Sequence, residues 1–434
     1  MNYTTDVLIV GGGGAACRAA LAAADAGAQV ILASKRPPAQ AGATSYPVAE
    51  MAGYNAGDPA LAGDVEQHYQ DIMAAGQGMA DPQLAAILAA HAPQTIRQLE
   101  AWGVPFERDG DGYYVFKSCF SSRARTHVIR GHGEPIIRVM LHQTQLRSQI
   151  ALLEDVTIVK LLTNGSGCCG GWGFRSDGSE ATILAGAVVL ATGGASQVFE
   201  RNLNPADVSG DGYRMAFEAG AELVNMEFMQ IGIGFSHPVV NIFNGYIWEG
   251  QPVLRNRYGQ EFLPSGLPAG LTAAAVMHEH RRHFPFSASD NARYLEIAIH
   301  REITEGRGTK NGGVSADLRH MDDARINALP DDCGLHHMWP IAREHLRQRG
   351  VDLLKQPVEI CCFAHAVNGG VRINASAASR RPARGRPSGR QHDGCLPGVR
   401  RNCRHKCRTV CDTASGQAVR QSAAPDRKGS GAPV

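Results

Sequence analysis

The N-terminal segment, residues 6–33, constrains the fold of this chain more than any other. An apolar run suited to a strand, DVLIV, leads directly into the glycine-rich turn GGGGAA at Gly11–Ala16. An alanine-rich stretch typical of a helix occupies residues 17–26, and QVILA at residues 29–33 indicates the next strand. A strand, a glycine turn, a helix and a second strand within about thirty residues predict an α/β fold that binds a dinucleotide at the first turn.

The small residues of this turn have separate expected roles. Gly11 permits a tight turn, Gly13 lets the backbone approach a pyrophosphate, and Ala16 keeps the helix close to the sheet. The helix N-terminus then presents free N–H groups and the positive end of its dipole to phosphate oxygens. We therefore expect the pyrophosphate at this turn.

The identity of the dinucleotide is less directly encoded. NAD sites place an acidic residue after the second strand, whereas this chain has Ser34-Lys35-Arg36, a basic pair that could also hold the 2′-phosphate of NADP. The hydroxyl-bearing loop Gly42–Ser45 and the strand ending ATGG at Ala191–Gly194 favour FAD instead. A pyridine-nucleotide flavoenzyme should carry a second GxGxxG, and residues 165–170, GSGCCG, have that spacing, so the NADP alternative stays open here.

Charge is distributed unevenly along the chain. The net charge of +2 combines an acidic body with a basic tail, because residues 375–434 hold 13 Lys and Arg against 3 Asp, leaving 30 basic and 38 acidic residues before them. The start of the chain has no basic segment followed by an apolar one, and no apolar run reaches 18 residues. We expect a cytoplasmic protein with reduced cysteines, no membrane span and no nucleic-acid partner.

Several motifs together carry a family resemblance. Five segments in matching order resemble the flavoproteins of fumarate reductase, succinate dehydrogenase and L-aspartate oxidase, and the likeness extends from residue 5 to about 374. They are DVLIVGGGGAACRAALAAADAGAQVILASK, ADPQLAAILAAHAPQTIRQLEAWGVPF, the stretch from GHG at Gly131 to Met140, SGDG at Ser209–Gly212 and AHAVNGGV at Ala364–Val371.

The resemblance implies a domain organisation. A Rossmann-like FAD-binding domain would span residues 1–222 and return over residues 350–374, interrupted by an α+β capping domain at residues 223–349. The residues expected at the cofactor are Gly11, Gly12, Gly13, Gly14, Ala15, Ala16, Ser34, Lys35, Ala43, Thr44, Ser45, Ala191, Thr192, Gly193, Gly194 and Asp211. Succinate dehydrogenases attach FAD through a His where this chain has Ala43, so we expect noncovalent FAD.

The implied reaction is hydride transfer between flavin N5 and a bond beside a carboxylate, with an electron donor or acceptor that the sequence leaves open. His365 matches a substrate-binding His of the family. The family's other substrate His is missing from the stretch EFMQIGIG at Glu227–Gly234, where His237 is either a shifted replacement or a surface residue. The family's proton-transferring Arg is replaced by Ser289. Arg293, one helical turn further on, is either its substitute or a surface residue.

The histidine-rich segment His278–His283, HEHRRH, resembles a metal motif but lacks the HExxH spacing that places two His on one helix face. We interpret it as the polar face of a helix and predict no metal site.

The last sixty residues differ in character from the rest. Residues 375–434 contain no Ile, Phe, Tyr, Trp or Met and only Leu396 as a large aliphatic residue, so we predict a disordered tail. A basic nucleic-acid arm and a zinc site formed by the four tail cysteines remain alternatives.

A one-nucleotide frame shift makes residues 381–392 compatible with GPHGADRLGGN and residues 398–408 with VFGAIAGTNAA, two segments that the resembled family carries next. We interpret the tail as translated out of frame. The chain would then lack the family's substrate-binding Arg and part of its FAD domain, leaving a noncatalytic fragment as a second hypothesis.

Overall fold

The structure is a computed structural model that describes residues 1–379 except positions 118, 166, 283, 286, 288, 289, 331 and 332. The predicted tail and Ser289 therefore lie outside the described residues, apart from residues 375–379.

The chain alternates helices and strands. The helices are α1 (Gly14–Asp25), α2 (Gly42–Ser45), α3 (Asp64–Ala75), α4 (Pro82–Ala101), α5 (Glu134–Gln145), α6 (Asp211–Glu218), α7 (Leu263–Gly266), α8 (Ala273–His280), α9 (Arg293–Thr304), α10 (Asp323–Asn327) and α11 (Gly334–Gln348). The strands are β1 (Asn2–Val10), β2 (Val30–Ala33), β3 (Met51–Asn55), β4 (Arg108–Asp109), β5 (Gly112–Tyr113), β6 (Val115–Phe116), β7 (Thr126–Arg130), β8 (Ile150–Leu153), β9 (Val156–Asn164), β10 (Gly167–Arg175), β11 (Glu180–Leu190), β12 (Leu223–Val224), β13 (Met229–His237), β14 (Asn241–Ile242), β15 (Val253–Arg255), β16 (Val314–Asp317), β17 (Val358–Val367) and β18 (Gly370–Val371).

A six-stranded sheet organises the first half of the chain, in the order β8-β2-β1-β11-β10-β9. β1, β2, β8 and β11 are parallel, whereas β10 pairs antiparallel with β9 and β11. Apolar side chains on the two faces of β1 and β2 enter separate cores, one of which contains the alanine face of α1. Burial on both faces explains the continuous apolar runs of these parallel strands.

A second sheet has five strands in the order β14-β13-β17-β16-β15. Its apolar side chains pack with α8, α9 and α11 around Trp248 in the largest core cluster of the described residues. β17 pairs with both β13 and β16, so residues 358–367, assigned from sequence to the returning FAD domain, belong to this sheet. The domain boundaries themselves stay a prediction.

Within the described part of the chain, no helix is both long and apolar enough to cross a membrane.

Candidate functional site

The turn after β1 is fixed by its contact with the end of β11. Gly11 has φ 132°, a region that side-chain-bearing residues rarely adopt, and its N–H donates to Ala33 O at 2.9 Å. Ala191 N donates to Val10 O at 2.8 Å, which places the Ala191 carbonyl where a Cβ on Gly11 would lie. Only glycine fits this crossing of the turn and the ATGG strand.

Among the described residues, no side chain caps the N-terminus of α1. Its N-cap, Gly13, supplies no side chain, and no acidic residue lies in the first turn. A Cβ on Gly13 would have its nearest heavy atom 3.8 Å away, so the space before the helix is open. Free N–H groups at a helix start suit a phosphate.

The segment expected to be a loop at Gly42–Ser45 forms the one-turn helix α2. Gly42 N donates to Asp207 Oδ2 at 2.7 Å, and Ser45 Oγ donates to Ala41 O at 3.3 Å. Asp207 Oδ1 is buried without a hydrogen bond, 3.9 Å from Arg36 Nη1. Sequence reasoning missed Asp207, since nothing in its local sequence distinguishes it from a loop carboxylate.

Lys35 and Asp211, both predicted to face the cofactor, bind each other. Lys35 Nζ lies 2.8 Å from Asp211 Oδ2 and 2.7 Å from Ser209 Oγ. Burial alone would raise the pKa of Asp211, but the hydrogen bonds from Lys35 and Ser209 lower it below its ordinary value. Ser34 is buried and its hydroxyl donates to Arg36 O at 2.6 Å, so it braces its own turn.

The ATGG and SGDG segments pack together. Gly210 N donates to Gly194 O at 3.1 Å, and a Cβ on Gly212 would overlap Thr192 Oγ1. Two motifs separated by some fifteen residues of sequence thus form one wall of a cavity of about 170 Å³. Its lining includes Gly11, Gly12, Gly13, Gly14, Ala15, Ser34, Lys35, Gly42, Ala43, Thr44, Ala191, Thr192, Gly193, Asp207 and Asp211.

The cavity lining suits the pyrophosphate of a dinucleotide. It combines an uncapped helix start with glycines where a Cβ would intrude. The predicted Ser45, Ala16 and Gly194 are absent from the lining, because Ala16 lies on the buried face of α1 and the other two support neighbouring turns.

His365 lies on β17, away from this cavity. Its carbonyl oxygen accepts from Ser196 Oγ at 2.9 Å and Asn204 Nδ2 at 2.5 Å, and its ring contacts Phe284 edge-on at 5.2 Å. Its Nδ1 is buried without a hydrogen bond. Burial and the neighbouring His132 lower the pKa of His365, which favours a neutral imidazole.

Apolar groups surround His365 where the resembled family has its other His. Ile231 pairs with Ala364 across the β13–β17 ladder, and the ring of Phe284 fills the space that a side chain on Gly232 would need. His237 is exposed and pairs with Glu359, six residues along β17 from His365, or about 20 Å. The structure does not bring the two histidines together.

Arg293 begins α9 and is half-buried, with its guanidinium carbon 5.0 Å from the ring centre of Tyr294. Asp290 accepts a hydrogen bond from Ala292 N at 3.0 Å through its side chain. α9 packs against β17 through Glu296 and Cys362. None of these contacts tests whether Arg293 replaces the family's proton-transferring Arg, so that role stays a prediction.

The histidine-rich segment is less exposed than expected. His280 ends α8 fully buried, with Nε2 2.5 Å from Glu296 Oε1 and its ring 5.2 Å from Trp248. The interpretation as a polar face was wrong for His280, because tertiary packing supplies a carboxylate partner. His283 is outside the described residues. In the described ranges, no group of three or more His, Cys, Asp or Glu could hold a metal ion.

Residues 6–387 match the FAD binding domain family. The chain is 31% identical to a subunit of the CoM/CoB fumarate reductase of Methanothermobacter marburgensis, covering 86% of this chain and 64% of the relative. It is 30% identical to L-aspartate oxidase of Vibrio cholerae, covering 85% and 66%.

Among solved structures, a mutant of E. coli quinol fumarate reductase FrdA is similar with a TM-score of 0.69 and 26% identity, covering 88% of this chain and 63% of that one. The chain thus spans slightly less than two thirds of the length of each relative. The likeness shows a mixed helix and strand fold similar to that flavoprotein.

Proposed function

We propose, because this chain belongs to the FAD binding domain family of FAD-dependent oxidoreductases, that it transfers hydride between a noncovalently bound FAD and a small carboxylate-bearing substrate. Bound FAD supplies the two-electron chemistry at its N5 atom. The observation that carries the proposal is the crossing of Gly11 with Ala191 in front of an uncapped α1. These residues bind and orient the dinucleotide.

Noncovalent attachment is supported by the residue at the cavity wall. Ala43 lines the cavity with a methyl group, which has no nucleophile to bond the flavin. The NADP alternative is weakened by Lys35, whose ammonium is already held by Asp211 and Ser209.

The carboxylate class follows from the names of the relatives, a fumarate reductase and an L-aspartate oxidase. His365 is the residue that we propose for contact with such a substrate. Ile231 lies in the stretch from which the family's other substrate His is missing. We therefore propose that the protein turns over fumarate or succinate slowly. Losing one charged contact made in the transition state commonly costs about 2.7–4 kcal/mol, roughly a hundredfold to a thousandfold in rate.

We also propose that residues 1–222 and 350–374 form the FAD-binding domain, residues 223–349 the cap, and residues 375–434 an out-of-frame tail. The separate six-stranded and five-stranded sheets support two domains, with β17 of the returning segment paired into the five-stranded sheet. A noncatalytic FAD-binding protein is the second candidate, favoured by the apolar surroundings of His365.

One purification tests the cofactor and its attachment. The protein, reconstituted with FAD, should be yellow and should release all flavin into the supernatant on acid precipitation. Flavin that stays with the precipitate contradicts noncovalent binding, and protein that takes up no FAD contradicts the cofactor proposal. Flavin reduction by succinate or L-aspartate, or oxidation of reduced flavin by fumarate, separates the enzyme from the noncatalytic alternative.

A further inference from the structure

Asp207 belongs to the turn that precedes SGDG and α6. Val208 N donates to Pro205 O at 3.1 Å, and Val208 O accepts from Gln197 N at 3.1 Å. The Val208 side chain is buried next to this turn. These contacts fix the backbone beside Asp207, so its carboxylate has a defined position.

The protein uses one oxygen of the Asp207 carboxylate and leaves the other without a donor. Oδ2 accepts from Gly42 N at 2.7 Å, whereas Oδ1 is buried without a hydrogen bond on a side chain that is 10% exposed. Arg36 Nη1 lies 3.9 Å from Oδ1, beyond hydrogen-bond distance, and water screens the charge of this half-exposed arginine. A buried acceptor without a donor is costly, which makes Oδ1 a candidate contact for a ligand.

The carboxylate borders the cavity at the start of α1. Asp207 lines this cavity together with Gly13 and Gly42. Gly42 has φ 73°, and a Cβ on it would lie 3.2 Å from Gly13 Cα, so the residue that holds Asp207 packs directly against the N-cap of α1. An acceptor with a free lone pair thus lies beside N–H groups suited to a phosphate.

The chemistry of Oδ1 selects the group that it can bind. An ionised carboxylate only accepts hydrogen bonds, and a pyrophosphate offers it further acceptors and a charge of the same sign. The sugars of a dinucleotide, in contrast, carry hydroxyls next to the pyrophosphate. An O–H donor to an ionised carboxylate makes a charge-assisted hydrogen bond, which is stronger than a neutral one.

Asp207 supplies an acid where β2 is followed by none. NAD sites place an acidic residue after the second strand to bind ribose hydroxyls, whereas this chain has Ser34-Lys35-Arg36 there. Lys35 is held by Asp211 at 2.8 Å, and Arg36 lies beside Asp207. The fold therefore brings a carboxylate from a distant turn to the end of β2.

We propose that Asp207 Oδ1 accepts a hydrogen bond from a sugar hydroxyl of the bound dinucleotide, the role that an acid after the second strand has in NAD sites. The inference deepens the proposed function and rests on it for the identity of the dinucleotide, FAD. It assigns a specificity-determining residue outside the N-terminal glycine turn.

The test is a titration of the FAD-free full chain with FAD, followed by flavin fluorescence, in wild type and Asp207→Asn. Asparagine has the same shape and keeps an oxygen for Gly42 N, but it places an uncharged NH2 group where Oδ1 lies. Exchange of a charged acceptor for a neutral group predicts that the Kd for FAD rises about tenfold. Asp177→Asn is the matched control and should leave the Kd unchanged, because Asp177 also accepts from a backbone N–H, Ser179 N at 2.8 Å, but at an exposed turn.

The Tm of the FAD-free protein separates a ligand contact from a structural one. A buried carboxylate oxygen without a donor destabilises the FAD-free fold, so Asp207→Asn should keep or raise this Tm while it weakens FAD binding. Competition by ADP locates the hydroxyl. Weaker binding of both ADP and FAD by the variant places it on the adenosine ribose, and weaker binding of FAD alone places it on the ribityl chain.

Equal FAD affinity in Asp207→Asn and wild type overturns the inference and leaves the cofactor proposal intact. A variant that does not fold, or whose FAD-free Tm falls together with its FAD affinity, assigns Asp207 a structural role and also overturns it. Loss of FAD binding by wild type in EDTA would indicate a cation between Asp207 and the pyrophosphate, which excludes the hydroxyl contact. Wild type that takes up no FAD contradicts both proposals, whereas FAD uptake without turnover of fumarate, succinate or L-aspartate contradicts only the proposed reaction.

Discussion

Two residues, Gly11 and Glu50, show opposite structural requirements: one position excludes a side chain and the other requires a hydrogen-bonded one. Gly11 must lack a side chain because Ala191 O occupies the position of its Cβ, whereas Glu50 must be hydrogen-bonded because it is buried. Both requirements lead to predictions about single substitutions.

Gly11→Ala should abolish FAD binding and destabilise the protein, because the Cβ would push the ATGG strand away in addition to about 1–3 kcal/mol of backbone strain. The measurements are flavin absorbance after reconstitution and the Tm. Gly27→Ala is the matched control, since Gly27 also has a positive φ but has no atom within 4 Å of its Cβ position. It should cost only strain, about 1–2 kcal/mol, and keep FAD. Retention of flavin by both variants would contradict the proposed crossing.

Glu50→Gln should raise the Tm at pH 8 more than at pH 5. The raised pKa of Glu50 means that the folded state holds a proton that the unfolded state has lost, so stability falls as pH rises from the ordinary carboxyl pKa to the folded one. Glutamine keeps the acceptor contacts with Asn244 and Tyr246 and removes this penalty. Each kcal/mol recovered should raise the Tm by about 2–4 °C. Glu154→Gln, at an exposed site, serves as the control; an identical pH slope in both variants would show that Glu50 is not the cause.

At the scale of elements, α1 is built around its uncapped N-terminus. A helix of twelve residues without a capping side chain or an acidic first turn is less stable than a capped one, and the N–H groups at its start are those that an anion would bind. α1 starts at Gly14, three residues earlier than the sequence suggested. Its first turn consists mostly of glycine and alanine, so its sequence does not differ from that of the glycine-rich turn before it.

Gly13→Asp should separate stability from ligand affinity. Gly13 has an ordinary φ of −81° and open space at its Cβ position, so aspartate can cap α1 and stabilise FAD-free protein by a few tenths of a kcal/mol. Its charge should repel the pyrophosphate. Gly13→Asn provides the uncharged comparison, and FAD affinity should fall in the order wild type, Asn, Asp, with about tenfold between the last two. Equal affinity of the Asp and Asn variants would exclude a pyrophosphate at this helix end.

On the scale of the whole molecule, the segment 47–50, between α2 and β3, is hydrogen-bonded to β14 of the five-stranded sheet and to residues that follow it. Val48 O accepts from Ile242 N at 2.8 Å, while Pro47 O and the Glu50 side chain accept from Arg349, Asn244 and Tyr246. A short stretch before β3 thus contacts both β14 of the five-stranded sheet and, through Gly131 N and Glu50 O, the turn after β7.

Deletion of residues 380–434 should change the Tm by only about 1 °C, because a basic segment poor in large apolar residues buries almost no area at roughly 25 cal/mol per Å². Restoring the reading frame should instead raise stability and FAD affinity together, since ligand binding adds to folding free energy. Thermal unfolding with and without FAD measures both. A large loss of stability on deletion would contradict the out-of-frame interpretation, as would coding DNA whose shifted frame lacks GPHGADRLGGN.

The sequence by itself determined the strand, glycine turn and helix at the start, the family resemblance and FAD, because backbone conformation and phosphate binding depend on local residues. Only the tertiary structure decided that Lys35 pairs with Asp211 and that His280 is buried against Glu296. These partners are 176 and 16 residues apart in sequence. A side chain's charge, burial and ligand depend on what the fold brings next to it, and periodicity along the chain carries no record of those neighbours.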